Sequence, residues 1–167
     1  MSSKPIFLIG MMGSGKSSFA LALANALKVP VYDTDLEIEK LTGYSVSELF
    51  SEFGEAYFRE QEKALIEKLP EQAAVVACGG GLPCYGELMD TLLQRGQVIY
   101  LSAPAKVLYE RIAGSEDRPL LQDLNSFDLL LEKRKEVYQQ ANYIIDAQQA
   151  PSVLLNDCLT FLNKDLS

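Results

Sequence analysis

Gly10, Gly15, Lys16 and Ser17 stand at the spacing G-x-x-x-x-G-K-S. An apolar run, Pro5-Ile6-Phe7-Leu8-Ile9, precedes them, and a stretch of helical composition from Ser17 to Lys28 follows. The run reads as a buried parallel strand. The order strand, glycine-rich loop, helix leaves few folds open. Glycines let the backbone curl until successive N–H groups point at one anion. The helix that starts there turns its positive end to the same place. Lys16 adds a compact positive charge for the β- and γ-oxygens of a nucleotide, and the Ser17 hydroxyl suits magnesium. The segment is read as a site for ATP and Mg2+, with Gly13, Ser14, Gly15, Lys16, Ser17 and Ser18 around the phosphates.

Further strands are predicted at 29–33, 73–78, 98–102 and 143–146. Helical patterns are predicted at 55–69, 87–95, 104–113, 126–141 and 152–162. Strands alternating with helices imply an α/β fold with a parallel sheet. The 167 residues suit one domain, 1–167, without linker or repeat. The segment 114–125 (Gly114, Ser115, Glu116, Asp117, Pro119, Asn125) has no period. It reads as a binding loop or lid.

Composition closes several routes. Histidine is absent, which excludes His-based general bases and His-ligated metals, so a carboxylate is the expected proton carrier. Three cysteines, Cys78, Cys84 and Cys158, lack metal-site spacing and are expected to be reduced. A net charge of −8 argues against nucleic acid as a partner. No apolar stretch approaches the roughly 20 residues of a membrane span. The cytoplasm is the expected location.

The acceptor side is read from the remaining polar residues. Asp33 and Asp35 flank Thr34 at the end of the second strand, where ligands of parallel sheets bind. One carboxylate would hold magnesium through water and the other would meet an acceptor hydroxyl. The alternative is that they merely cap a helix from Leu36. Gly79-Gly80-Gly81 follows the third strand, either as bare backbone for a ligand or as a flexible turn. Arg59 lies one helical turn before Glu62, which would orient it, or the two form a solvated pair of little weight. Arg134 lies between Lys133 and Lys135, either as an anion grip or as part of a solvated face.

This ordered set resembles shikimate kinase. The resemblance runs from Pro5 to about Asp146 and comprises the loop at Gly10–Ser17, Asp33-Thr34-Asp35, Gly54-Glu55 leading to Phe58-Arg59, Gly79-Gly80-Gly81, Arg118-Pro119-Leu120-Leu121, and Arg134 ahead of Tyr138. It implies a three-layer P-loop fold like that of nucleoside monophosphate kinases. The implied sheet has five parallel strands in the order 2-3-1-4-5, with an acceptor region near 33–62 and a mobile lid near 113–125. It implies phosphorylation of the 3-hydroxyl of shikimate by ATP, toward chorismate. By that likeness Asp35, Arg59, Gly80, Gly81 and Arg134 bind shikimate, and Ser17 and Asp33 serve Mg2+. Lys16 and Arg118 bear on the transferred phosphoryl group, Asp35 acts on the hydroxyl, and Arg111 lies against adenine. A monomer is expected. Two departures stand out: Met11-Met12, expected to contribute mainly backbone, and Gln148-Gln149, where family members often carry a basic residue or Asn. The rival readings are another small-acid kinase, of gluconate type, or a nucleoside monophosphate kinase, and a non-catalytic nucleotide-binding module.

Overall fold

The computed structural model of the chain describes residues 3–113 and 123–164. Five strands form one sheet: β1 (Ile6–Ile9), β2 (Val31–Asp33), β3 (Val75–Ala77), β4 (Gln97–Ser102) and β5 (Tyr143–Asp146). Their order is β2-β3-β1-β4-β5, and every pairing is parallel. The 2-3-1-4-5 order is therefore the one expected. β1 and β3 are buried throughout, which explains their unbroken apolar runs.

Among the described residues eight α-helices connect and flank the strands: α1 (Lys16–Leu27), α2 (Thr34–Thr42), α3 (Val46–Phe53), α4 (Glu55–Lys68), α5 (Leu88–Arg95), α6 (Ala105–Ile112), α7 (Leu124–Tyr138) and α8 (Pro151–Lys164). Right-handed crossovers put α1 on one face of the sheet. They put the connections from β2 onward on the other face, while α8 returns to pack against α1 and β5. The core is continuous through all three layers, from Leu23 of α1 through Phe7 and Ile99 to Leu92 and Phe127.

Two helices beyond the periodic pattern appear between β2 and β3. Asp33 caps α2, its Oδ1 accepting from the N–H groups of Asp35 and Leu36 at 3.1 and 3.3 Å. Ser45 and Glu48 form a reciprocal capping box that starts α3. The Ser-x-x-Glu spacing was the signal for α3 in the sequence. α7 begins at Leu124, capped by Asp123, two residues earlier than the pattern predicted. Most of the expected lid, including Arg118, lies outside the described residues.

Arg95 stands apart from the other arginines. Its guanidinium donates to the carbonyls of Ile66 and Leu69 at the end of α4, so it locks α5 to α4. All three cysteines are free, with Cys78 and Cys158 buried. Among the described residues no helix is long and apolar enough to cross a membrane.

Candidate active site

The loop between β1 and α1 is held open by its glycines. Gly13 and Gly15 both have φ 84°, a conformation that side chains strain to adopt. A Cβ on Gly13 would also meet the Leu108 carbonyl at 2.6 Å, whereas Gly15 faces open space. Gly15 is the N-cap of α1 and offers no side-chain acceptor, and no acidic residue stands in the first turn. The first N–H groups of α1, including those of Ser17 and Ser18, are thus left for an anion. Lys16 Nζ donates to the Gly10 and Met11 carbonyls at 2.8 and 2.9 Å and to Ser14 Oγ at 3.3 Å. The charge is thereby held at the loop itself.

Ser17 Oγ donates to Asp33 Oδ2 at 2.5 Å. Asp33 therefore does two things: one oxygen caps α2 and the other meets Ser17. Asp35 is separated from it because the helix begins at Thr34. Asp35 Oδ1 and Glu62 Oε1 both converge on Gly79, at 2.8 and 2.7 Å from where a Cβ would be. The helix-capping alternative is right for Asp33, and it coexists with the Ser17 contact.

Two arginines lie beside the glycines that follow β3, Arg134 at Gly80 and Arg59 at Gly81. Arg59 is 8% exposed and Glu62 0%. Arg59 Nη1 meets Glu62 Oε2 at 2.7 Å, and Nη2 meets Glu55 Oε1 at 3.1 Å. The guanidinium also lies 5.8 and 5.5 Å from the Phe50 and Phe58 ring centroids. A solvated pair of little weight is excluded by this burial. Burial pushes the Glu62 carboxyl up to about 7, outweighing the pull of Arg59. Glu62 Oε1 has no hydrogen-bond partner among the described residues.

Arg134 reaches back from α7, its Nη1 3.5 Å from Met11 Sδ. Met11 is buried, so it supplies a side-chain contact as well as backbone. Tyr138, one turn on, donates from its hydroxyl to the Gly80 carbonyl at 2.5 Å. The sequence reading missed this anchor; the four-residue spacing from Arg134 was its signal.

The three glycines after β3 are not a flexible turn. Gly79 N–H donates to the buried Thr34 Oγ1 at 2.9 Å, and Gly80 is held by Tyr138. Each missing side chain is replaced by a functional group. Glu62 and Asp35 fill the space at Gly79, and Arg134 Nη1 lies 3.1 Å from the Cβ position of Gly80. A Cβ on Gly81 would fall on the Arg59 guanidinium. At Gly80 the two halves meet, since the same point lies 3.4 Å from the Gly10 carbonyl of the phosphate loop.

Arg111, at the end of α6, donates to the Gly13 and Ala147 carbonyls at 3.2 and 3.1 Å. It bridges the phosphate loop and the turn after β5. In that turn Gln149 Oε1 is buried without a hydrogen-bond partner among the described residues, while Gln148 stays exposed and bonds Asp146. A separate groove of about 610 Å³ lies between α7 and the β4–β5 edge. It shares no residue with either half of the site. Asp128, Glu132 and Asp146 line it, and its Lys135 pairs with Glu132, so it is ill-suited to phosphate.

The family model for shikimate kinase matches residues 12–163. The shikimate kinase of Persephonella marina is 40% identical over 157 residues, 92% of this chain and 96% of that one. This chain belongs to the shikimate kinase family. The solved shikimate kinase from Acinetobacter baumannii, in complex with shikimate, superposes with a TM-score of 0.92 at 32% identity, covering 98% of this chain and 95% of that one. A gluconokinase from Sinorhizobium meliloti superposes at 0.66 with 20% identity, covering 97% and 93%, a likeness of fold alone. In this chain Arg59 and Arg134 come together at Gly81 and Gly80.

Proposed function

We propose that this enzyme transfers the γ-phosphoryl group of ATP to the 3-hydroxyl of shikimate, giving shikimate 3-phosphate and ADP on the route to chorismate. One observation carries the reading: Gly80 lies between the Arg134 guanidinium and the Gly10 carbonyl, so an acid gripped by arginine is presented directly to the phosphate loop. Phosphoryl transfer is mostly positioning and charge stabilisation, and both are built here.

The amides from Gly13 to Ser18 and the Lys16 ammonium would hold the phosphate chain. Arg59 and Arg134 would grip the shikimate carboxylate, with Gly80 and Gly81 leaving room beside them. The acceptor oxygen attacks the γ-phosphorus, the bond to the β-phosphate oxygen breaks, and ADP leaves. The hydroxyl proton passes to Asp35, which at the least orients it. By family likeness Arg118 bears on the transferred group. Arg111 would lie against adenine, and the buried acceptor of Gln149 supports a contact to the base edge.

Ser17 and Asp33 fit magnesium: they are hard oxygen donors brought within 2.5 Å of each other at the loop. Among the described residues no three His, Cys, Asp or Glu side chains form a metal cage, as suits an ion held largely by phosphates and water. Bound there, Mg2+ would neutralise phosphate charge.

The test is ADP release with shikimate, gluconate and nucleoside monophosphates side by side. Turnover with shikimate alone is expected; equal or faster turnover with gluconate would overturn the assignment. Changing Arg134 to Lys keeps the charge and loses the planar fork. Shikimate binding should weaken by roughly 1.5–3 kcal/mol, the range for a charged hydrogen bond. ATP affinity should hardly move. Equal losses for both ligands in a titration would place Arg134 elsewhere.

A further inference from the structure

Glu62 is a buried carboxyl that the phosphoryl transfer does not use. Its Oε2 is committed to Arg59 at 2.7 Å. Its Oε1 is buried, has no hydrogen-bond partner among the described residues, and points at Gly79 beside Asp35 Oδ1. Three charged groups face it: Arg59 on its own helix α4, Asp35 from α2, and Arg134 from α7. The Cys78 thiol behind Gly79 stays neutral, pushed up by burial. With Glu62 ionised, Glu62 and Asp35 already match the two arginines, and the largely exposed Glu55 adds a further carboxylate on Arg59 at 3.1 Å.

A substrate carboxylate brings one more anion to Arg59 and Arg134 and desolvates the groups around them. Like charge and further desolvation both disfavour an ionised Glu62. We propose that Glu62 takes up one proton from solvent when the carboxylate of shikimate binds, so that binding adds no net charge to the site. The proton adds to Oε1, the oxygen without a partner, and turns it into a donor facing Asp35. Oε2 keeps its bond to Arg59, which stays oriented for the substrate. Glu62 is thus a positioning residue whose protonation is coupled to binding. The inference rests on reading Arg59 and Arg134 as the carboxylate grip.

The direction of the pH effect follows. In the free enzyme the carboxyl titrates near 7, because burial raises it. In the complex it would titrate higher, so the protonated form binds more tightly. Affinity is greatest below pH 7 and falls as pH rises above it, until the value in the complex is passed.

Calorimetric titration of the full-length protein with shikimate, in buffers of different ionisation enthalpy, reads the proton count directly. At pH 8 an uptake of roughly 0.5–0.9 proton per shikimate is expected, with Kd rising about three- to sixfold from pH 7 to pH 8. In Glu62→Gln the uptake should fall below about 0.1, and Kd should change less than about 1.5-fold over the same range. An infrared difference spectrum of the parent with labelled glutamate carboxyls gives a second readout needing no variant. A protonated carboxyl band should grow as shikimate binds. Tight binding without proton uptake in the parent would overturn the inference and leave the acceptor reading standing. Uptake that persists in Glu62→Gln would place the proton elsewhere and also overturn it. Failure of shikimate to bind the parent at all would sink the acceptor reading itself.

Discussion

Replacing Lys16 by methionine should lower kcat by about 10²–10³, the scale for loss of one preorganised donor to a developing oxyanion. The ammonium is already fixed at the phosphate loop by three acceptors, Gly10 O, Met11 O and Ser14 Oγ. It therefore needs little rearrangement to meet phosphate oxygens, and that preorganisation is what makes a fixed charge effective. Methionine keeps the length and apolar bulk of the stem but removes the donor. The same substitution removes the Lys16 bond from the Gly10 carbonyl, while Met11 O keeps the Ser14 N–H at 3.3 Å, so it costs stability of about 1–3 kcal/mol. Single-turnover rates should be compared with thermal melting of the same protein, so that a misfolded loop is not read as a catalytic defect. Arginine at this position restores charge but not shape, and should recover only part of the rate. A methionine variant within tenfold of the parent, folded and saturated with ATP, would remove Lys16 from the transfer step.

Asp35→Asn should cut kcat by at least about a hundredfold, the scale for a lost general base. ATP binding in the presence of magnesium should stay nearly unchanged. The geometry makes these two outcomes separable. Asp33 is tied to Ser17 and to the start of α2, whereas Asp35 points to Gly79 and Glu62 on the acceptor side. Asparagine has the same shape and keeps one acceptor oxygen, so packing at Gly79 changes little. What it loses is the negative charge that would draw the hydroxyl proton. Asp33→Asn should show the converse behaviour, a raised magnesium requirement at saturating shikimate. Wild-type turnover by Asp35→Asn would show that the hydroxyl needs no carboxylate, and the aspartate would be left with orientation at most.

The family relation narrows what these variants test. Shikimate kinases at 35 to 41% identity cover most of the chain, so the reaction class does not hinge on one residue. The chain's own departures matter more. Met11 touches Arg134 and so links the phosphate loop to the acceptor arginine. Gln149 presents a buried carboxamide oxygen, without charge, next to the turn that Arg111 holds.

Local rules in the sequence were enough for the phosphate loop, the parallel sheet and the order of the main elements. A glycine-rich turn between an apolar run and a helix has one economical geometry, and buried parallel strands show as unbroken apolar runs such as Ile6–Ile9. That Arg59 and Arg134 would work together was expected only from a resemblance, because they are 75 positions apart and nothing local links them. Tertiary structure decided the rest. Burial turned Arg59 and Glu62 from a surface pair into a buried ion pair, since Phe50 and Phe58 from two helices close over the guanidinium. Helix α2, starting at Thr34, sent Asp33 to Ser17 and Asp35 to Gly79. The three glycines acquired their meaning only when α2, α4 and α7 placed a side chain against each of them. Spacing along a chain reports what neighbouring residues can do together; desolvation and convergence depend on which distant segments the fold brings into contact.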